Sequence, residues 1–213
     1  MKSLLLLPFL LILSNTSQAQ LAFSHVSNLE PINTSTPSND LALDELQEQF
    51  AIHNSGLAIL MPFLPILFER CGVTVNNAFI DERSKSKAVR LLTYAATGQT
   101  ETSESLLVFN KLLSGMEVYD DLDGTVDITL DDKKIIDEML NAVIQKWEKL
   151  GTTTIEGIRG TFLIRDGLLT DEEENYQLKV ESKSYDMLMD FLPWTITTSK
   201  LPWMKKALVV NWR

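Results

Sequence analysis

A mainly helical α+β domain with a small antiparallel β-sheet near its C-terminus is the fold class this sequence predicts, on three observations. Apolar residues recur at helical spacing as far as Gly167, the spacing then changes to two, and prolines and glycines mark the boundaries between runs. With 213 residues the chain has room for one domain with a full hydrophobic core plus a short appendage. Nineteen basic residues stand against 29 acidic ones, a net charge of −10, so the surface as a whole repels phosphate backbones and nucleic acid is excluded as the expected partner.

The amino terminus reads as a separate object. Lys2 precedes a mostly apolar run over residues 4–13, and the small residues Ser17 and Ala19 follow, so residues 1–19 are expected to be a signal peptide or apolar leader cleaved after Ala19. The run falls short of the roughly 20 residues a membrane span requires. A misassigned start codon or a buried apolar segment is the alternative, and the echo of Leu7-Pro8-Phe9-Leu10 in Met61-Pro62-Phe63-Leu64 favours it. Residues 20–39 are rich in Ser, Thr, Asn and Pro and are expected to form a flexible linker, with the helical domain occupying 40–213.

Within the domain, Leu43, Leu46 and Phe50 lie at helical spacing behind the potential caps Asn39 and Asp40, which predicts a first helix. After Ser55-Gly56 a second is expected to run to about Arg70, with Pro62 and Pro65 marking its kink or its true start. Ala88, Leu91, Leu92, Ala95 and Ala96 define a third that Gly98 terminates, and residues 103–114 a fourth that stops at Gly115. The clearest helix spans about 130–150. There Ile136, Met139, Leu140, Val143, Ile144 and Trp147 make one apolar stripe, with Asp131 and Asp132 in the first turn and Lys146 and Lys149 in the last. Thr153 and Glu156 read as a capping box for a helix carrying Ile155, Ile158 and Phe162.

Beyond Gly167 the pattern is that of strands. Residues 168–170 and 176–181 flank the polar run 171–175 as a hairpin, and a short helix over 185–191 follows. Ile196 and its threonine neighbours suggest a third strand, and Leu208, Val210 and Trp212 a fourth. Two Leu-Pro-Trp triplets, Leu192-Pro193-Trp194 and Leu201-Pro202-Trp203, lie between these elements. Proline fixes its own φ and bars the preceding residue from helix, so each triplet should end an element and aim an indole in a set direction. Phe63, Trp147, Trp194, Trp203 and Trp212 are the candidate structural or interface anchors.

Reactive motifs are missing. The sequence has no phosphate-binding Gly-Lys-Ser/Thr loop, no His-Glu-x-x-His, no Gly-x-Ser-x-Gly and no Cys-x-x-Cys, so no catalytic, cofactor-binding or metal site is assigned. Cys71, the single cysteine, reads as a small buried hydrophobe. His25 lies in the linker, and His53 beside an apolar block reads as a hydrogen-bonded structural histidine. Placing Gly124 at the sixth position of a calcium loop puts Asp121, Asp123 and Asp127 at ligand positions. Tyr119 then falls at the first and Leu130 at the twelfth, where an acid is needed, so a solvated acidic turn is expected.

The order of motifs is more specific than any one of them. Asn54-Ser55-Gly56-Leu57, Met61-Pro62-Phe63-Leu64-Pro65, Leu67-Phe68-Glu69 and Asn110-Lys111-Leu112-Leu113-Ser114-Gly115 come first. Trp147, the run Gly-Thr-Thr-Thr-Ile-Glu-Gly-Ile-Arg over 151–159, Phe162-Leu163-Ile164-Arg165-Asp166-Gly167, Tyr185-Asp186-Met187-Leu188 and the two Leu-Pro-Trp triplets follow. Over about residues 50–212 the set resembles the contractile injection system tape-measure protein family, with Ser114 where that family often has Cys. The resemblance implies a structural component of phage-tail-like machines assembled in the bacterial cytoplasm, where the tape measure sets the length of the inner tube. It implies tube, baseplate or spike subunits as partners, leaves a homo-oligomer open, and carries over no catalytic residue, cofactor or small-molecule substrate.

Residues 20–39 reach roughly 70 Å when fully stretched, and each further 100 residues of helix would add about 150 Å. The expectation is therefore the family's folded module without a full measuring rod. An exported, non-catalytic binding module that reuses the fold is the alternative, favoured by the leader pattern. An enzyme acting through Asp123, Asp127 and Glu172 would need those carboxylates to converge in a pocket.

Overall fold

Pro62 and Pro65 divide the long apolar block in two. In the computed structural model, which describes residues 48–103 and 106–212, a 3-10 segment Ser55–Phe63 gives way to helix α1 (Leu64–Arg70), with Pro65 in the first turn, where its missing N–H costs nothing. The leader, the linker, His25 and the first expected helix as far as residue 47 lie outside the described residues. Phe50, assigned to that helix by its spacing, lies instead in strand β1 (Glu48–Ile52). β1 pairs antiparallel with β4 (Gly167–Asp171), placing Phe50 opposite Leu169 and Ile52 opposite Gly167. Pairing supplies partners for backbone groups along one side of β4, a long-range gain that outweighs a local helical spacing.

A two-residue hairpin, β2 (Thr74–Val75) and β3 (Ala78–Phe79), leads into helix α2 (Glu82–Thr97). The Asp81 carboxylate caps α2 by accepting the Ser84 N–H at 2.7 Å, and Gly98 closes it in the left-handed conformation. Helix α3 is shorter than expected, Val108–Leu113, because Leu107 leaves the helix to pack with Val89 and Met116 in a satellite cluster. Helix α4 (Leu130–Lys146) is continued by a 3-10 turn, Glu148–Leu150, and buries the expected stripe. Thr129 and Asp132 form a reciprocal capping box at its start. The next cap falls one residue later than expected. Thr154 accepts the Gly157 N–H at 3.1 Å, while the Thr153 hydroxyl donates to the Leu150 carbonyl at 2.6 Å. Helix α5 (Ile155–Ile158) then widens into a π-turn, Arg159–Leu163.

Hairpin β4–β5 follows, with β5 at Asn175–Val180 and Glu172, Glu173 and Glu174 at its tip. The chain crosses through a 3-10 segment, Asp186–Phe191, and β6 (Thr198–Ser199), and ends in β7 (Ala207–Asn211). β7 lies parallel to β5, so the five strands, in the order β1-β4-β5-β7-β6, form a mixed sheet in an α+β domain. One continuous core joins the inner faces of α1, α2, α4 and the Ser55–Phe63 segment to Leu169, Leu178 and Leu208 of the sheet. Burying that apolar surface at about 25 cal/mol per Å² is the main force holding the layers together.

Candidate functional site

The motifs that are far apart in sequence meet in space, and they meet as fasteners. Ser55 donates both its backbone N–H (3.0 Å) and its hydroxyl (2.8 Å) to the Arg165 carbonyl. Gly56 lies against the Phe162 backbone so closely that an added Cβ would stand 1.8 Å from the Phe162 carbonyl oxygen, and only glycine fits there. The Asn54 amide donates to Asn110 Oδ1, and Asn110 in turn donates to Thr93 Oγ1 at 3.0 Å. Arg165, 2% exposed, donates to both carboxylate oxygens of Asp186 at 3.0 Å and to the carbonyls of Glu181 and Thr161. Arg159 reaches the carbonyls of Tyr94 and Ala95 at 3.1 Å, and Asp137 at 3.3 Å.

Sequence reasoning missed these polar fasteners. Their signal was Asn, Ser and Arg set within apolar runs, where a polar group is tolerated only if a partner is waiting.

The aromatic candidates are distributed around this core. Trp147 is fully buried, packs against Phe162 with ring centres 4.7 Å apart and planes tilted by 49°, and donates its indole N–H to the Leu188 carbonyl at 3.2 Å. Trp194 and Trp203 are half-buried, and their indoles donate to Ile59 O at 3.0 Å and Leu113 O at 2.8 Å. Leu113 is the last residue of α3, so Trp203 satisfies a carbonyl the helix leaves open. Phe63 meets Trp194 edge-on at 5.0 Å. Trp212 is buried behind β7, with the Arg165 guanidinium 5.7 Å from its ring.

Trp194 and Thr195 line two cavities, of about 420 and 370 Å³. The larger one is bounded by Pro62, Pro65 and Pro202. A third, of about 150 Å³, opens beside Phe63 and Ile66 against α4. Ile66 is 64% exposed. The three cavities are lined mainly by apolar side chains, with Thr197 and Asn211 in the one of about 370 Å³, Lys200 in the largest of the three, and Arg70 and Glu138 in the smallest.

His53 Nδ1 lies 2.5 Å from Asp166 Oδ1 at an exposed position. The nearby Ser55 hydroxyl is fully buried and committed to a carbonyl, so the three do not form a nucleophilic relay. Asp123 accepts from the Thr125 backbone and hydroxyl, which holds its carboxyl below the ordinary range. Among the described residues no three His, Cys, Asp or Glu side chains converge on a point that would hold a metal ion. Burial first, and the charge of Asp132 second, push the Cys71 thiol up to about 12.

Compared with known proteins, the chain matches the family model described as contractile injection system tape measure protein over residues 12–212. The chain belongs to that family. No curated protein and no solved structure matches it. In this tape-measure family member the match begins at residue 12, well ahead of Phe50 where the motif order starts, and so runs through the segments read as leader and linker. Several motifs that carried the resemblance act as fasteners: Asn54 reaches Asn110 of α3, Ser55 the Arg165 carbonyl, Gly56 the Phe162 backbone, and Arg165 the Asp186 carboxylate.

Proposed function

We propose that this tape-measure family member is a structural component in the assembly of a contractile injection system and acts by protein–protein contacts. The match over nearly the whole chain carries the reading. The geometry supports it in two ways. The motifs around Ser55, Asn110 and Arg165 are used in packing, and the proline and tryptophan motifs line mainly apolar cavities that suit another protein's side chains. Tube, baseplate or spike subunits are the partners in this reading, and Trp194, which borders two cavities and meets Phe63 edge-on, is the anchor offered to them. The role is non-catalytic and needs no cofactor.

The test is deletion of the gene in its native host, with the particles examined by electron microscopy. Loss of assembled particles, or tubes of altered length, restored by the wild-type gene, is the expected result. Normal particles at normal yield would overturn the proposal.

The leader pattern, Lys2 before the apolar run over 4–13, favours a second reading in which the domain is an exported binding module. A mature protein beginning at Gln20 in the periplasm or medium supports that reading and counts against the first.

A further inference from the structure

The two edges of the sheet are built differently. β7 is covered by β6, with Thr198 opposite Val209 and Ser199 opposite Leu208, and the Val210 N–H is taken by the Thr197 carbonyl. β1, at the other edge, pairs with β4 on one side and, among the described residues, with nothing on the other. Its sequence, Glu-Gln-Phe-Ala-Ile, has none of the lysines, prolines or glycine bulges that usually blunt an open edge.

The surroundings of that edge are strongly acidic. Glu48 stands directly opposite Asp171 in the ladder, an unfavourable like-charge pair, and the tip residues Glu172, Glu173 and Glu174 continue from Asp171. Tyr119, 76% exposed, donates its hydroxyl to Glu48 and brings Asp120 and Asp121 to the same end. The lysines there are committed, Lys111 to the Val118 carbonyl at 3.1 Å. Lys206 holds Asp171 at 2.6 Å and the Glu172 carbonyl at 2.6 Å, and Lys205 holds Glu117. Glu48 has no cationic partner among the described residues.

We propose that the free edge of β1 takes up an extended, basic segment of a partner subunit as a further strand of the sheet. Backbone hydrogen bonds along β1 supply the pairing, and the acidic rim selects the sign of the incoming chain. Glu48, Phe50 and Ile52 share one face, and Phe50 meets Tyr119 edge-on at 6.4 Å. The fitting segment therefore sets Lys or Arg beside Glu48 and an apolar or aromatic residue beside Phe50. A second copy fits less well, since its β1 carries no cation and each chain brings a net charge of −10. The inference rests on the assembly role proposed above and names the chemistry of one partner.

The test uses the full chain and three synthetic heptapeptides: Lys-Lys-Thr-Phe-Thr-Val-Lys, whose second, fourth and sixth residues set Lys, Phe and Val on one face to meet Glu48, Phe50 and Ile52, its Glu-for-Lys twin, and a basic version of equal charge with both threonines replaced by proline. Binding is read by calorimetry and backbone protection by hydrogen exchange. The basic threonine peptide is expected to bind and to slow exchange in Glu48–Ile52 by about tenfold or more. The acidic and proline peptides are expected not to protect that strand. Reversing the exposed tip with Glu173→Lys and Glu174→Lys should weaken binding about threefold to tenfold, with a shallower salt dependence. Equal binding of the proline peptide, protection confined to other segments, or β1 amides already slow in the free full chain would each overturn the proposal. If the peptides fail while gene deletion still abolishes particles, the strand inference falls and the assembly reading stands.

Discussion

The two Leu-Pro-Trp corners share a sequence and differ in what surrounds them. At Leu201-Pro202-Trp203 the leucine is buried, and the indole packs 5.5 Å from Phe68 and 5.0 Å from Phe79 while capping the end of α3. At Leu192-Pro193-Trp194 the leucine is half-buried, the indole has Phe63 as its ring partner, and open cavities lie on both sides. In both, proline does the same local work, and Leu192 is extended at φ −66° and ψ 120°, as a residue before proline must be. The motif therefore specifies a direction for the ring, and the neighbouring elements decide whether the ring closes a core or borders a groove.

That difference is open to measurement. Trp203→Ala is expected to cost about 3–5 kcal/mol in urea unfolding, because a ring inside an aromatic cluster leaves a cavity that the surrounding helices cannot refill. Trp194→Ala should cost less, about 2 kcal/mol, yet reduce retention of partner subunits in purified particles more than Trp203→Phe does. Equal stability losses at the two corners would remove the distinction.

Asp132→Ala sharpens the picture of what lies behind Trp203. Asp132 closes the α4 capping box and holds Lys87, whose ammonium also bonds the Cys71 carbonyl at the end of α1, two residues past Phe68 being the Arg70 that closes that helix. Losing it should cost about 1–2 kcal/mol near neutral pH. Burial alone would raise the Asp132 pKa, but the Thr129 N–H and the Lys87 ammonium outweigh it and hold the carboxyl below its ordinary value. Its contribution is thus fully present above the unfolded aspartate pKa of about 3.9 and is lost as the pH falls through the lower folded value. The gap between wild type and Asp132→Ala should therefore narrow in unfolding experiments carried below about pH 4.

The smallest effect is at Cys71. With its thiol pushed up to about 12, it should react with iodoacetamide at pH 8 only as fast as the domain opens, and readily once urea unfolds it. Rapid labelling of the folded protein would show that the packing around α1 and Trp203 is looser than the structure has it.

Legibility in the sequence followed the length of each repeating signal. Helix α4 was readable because its apolar stripe recurs over several turns and its ends carry the right charges, and the β4–β5 hairpin because alternation flanks an acidic tip. Strand β1 was not, since Phe50 fits a helical spacing as well as a strand one, and five residues are too few to separate the two periods. The capping threonine before α5 was misplaced by one residue in a run of three threonines, any of which can cap. Of the candidate anchors, the indoles were visible as residue types, but the carbonyls they reach lie on distant segments, 41, 135 and 90 residues away for Trp147, Trp194 and Trp203.

By itself the sequence determined the helical majority, the late change of period, the proline corners and the family's order of motifs, because each is written in local backbone preference and spacing. Only the tertiary structure decided that β7 runs parallel to β5, that β1 joins the sheet beside β4, and that the Trp203 indole packs into an aromatic cluster while the Trp194 indole borders a groove. Those outcomes depend on which distant groups meet, and the free energy of burying surface and pairing polar atoms is set by the partner as much as by the residue.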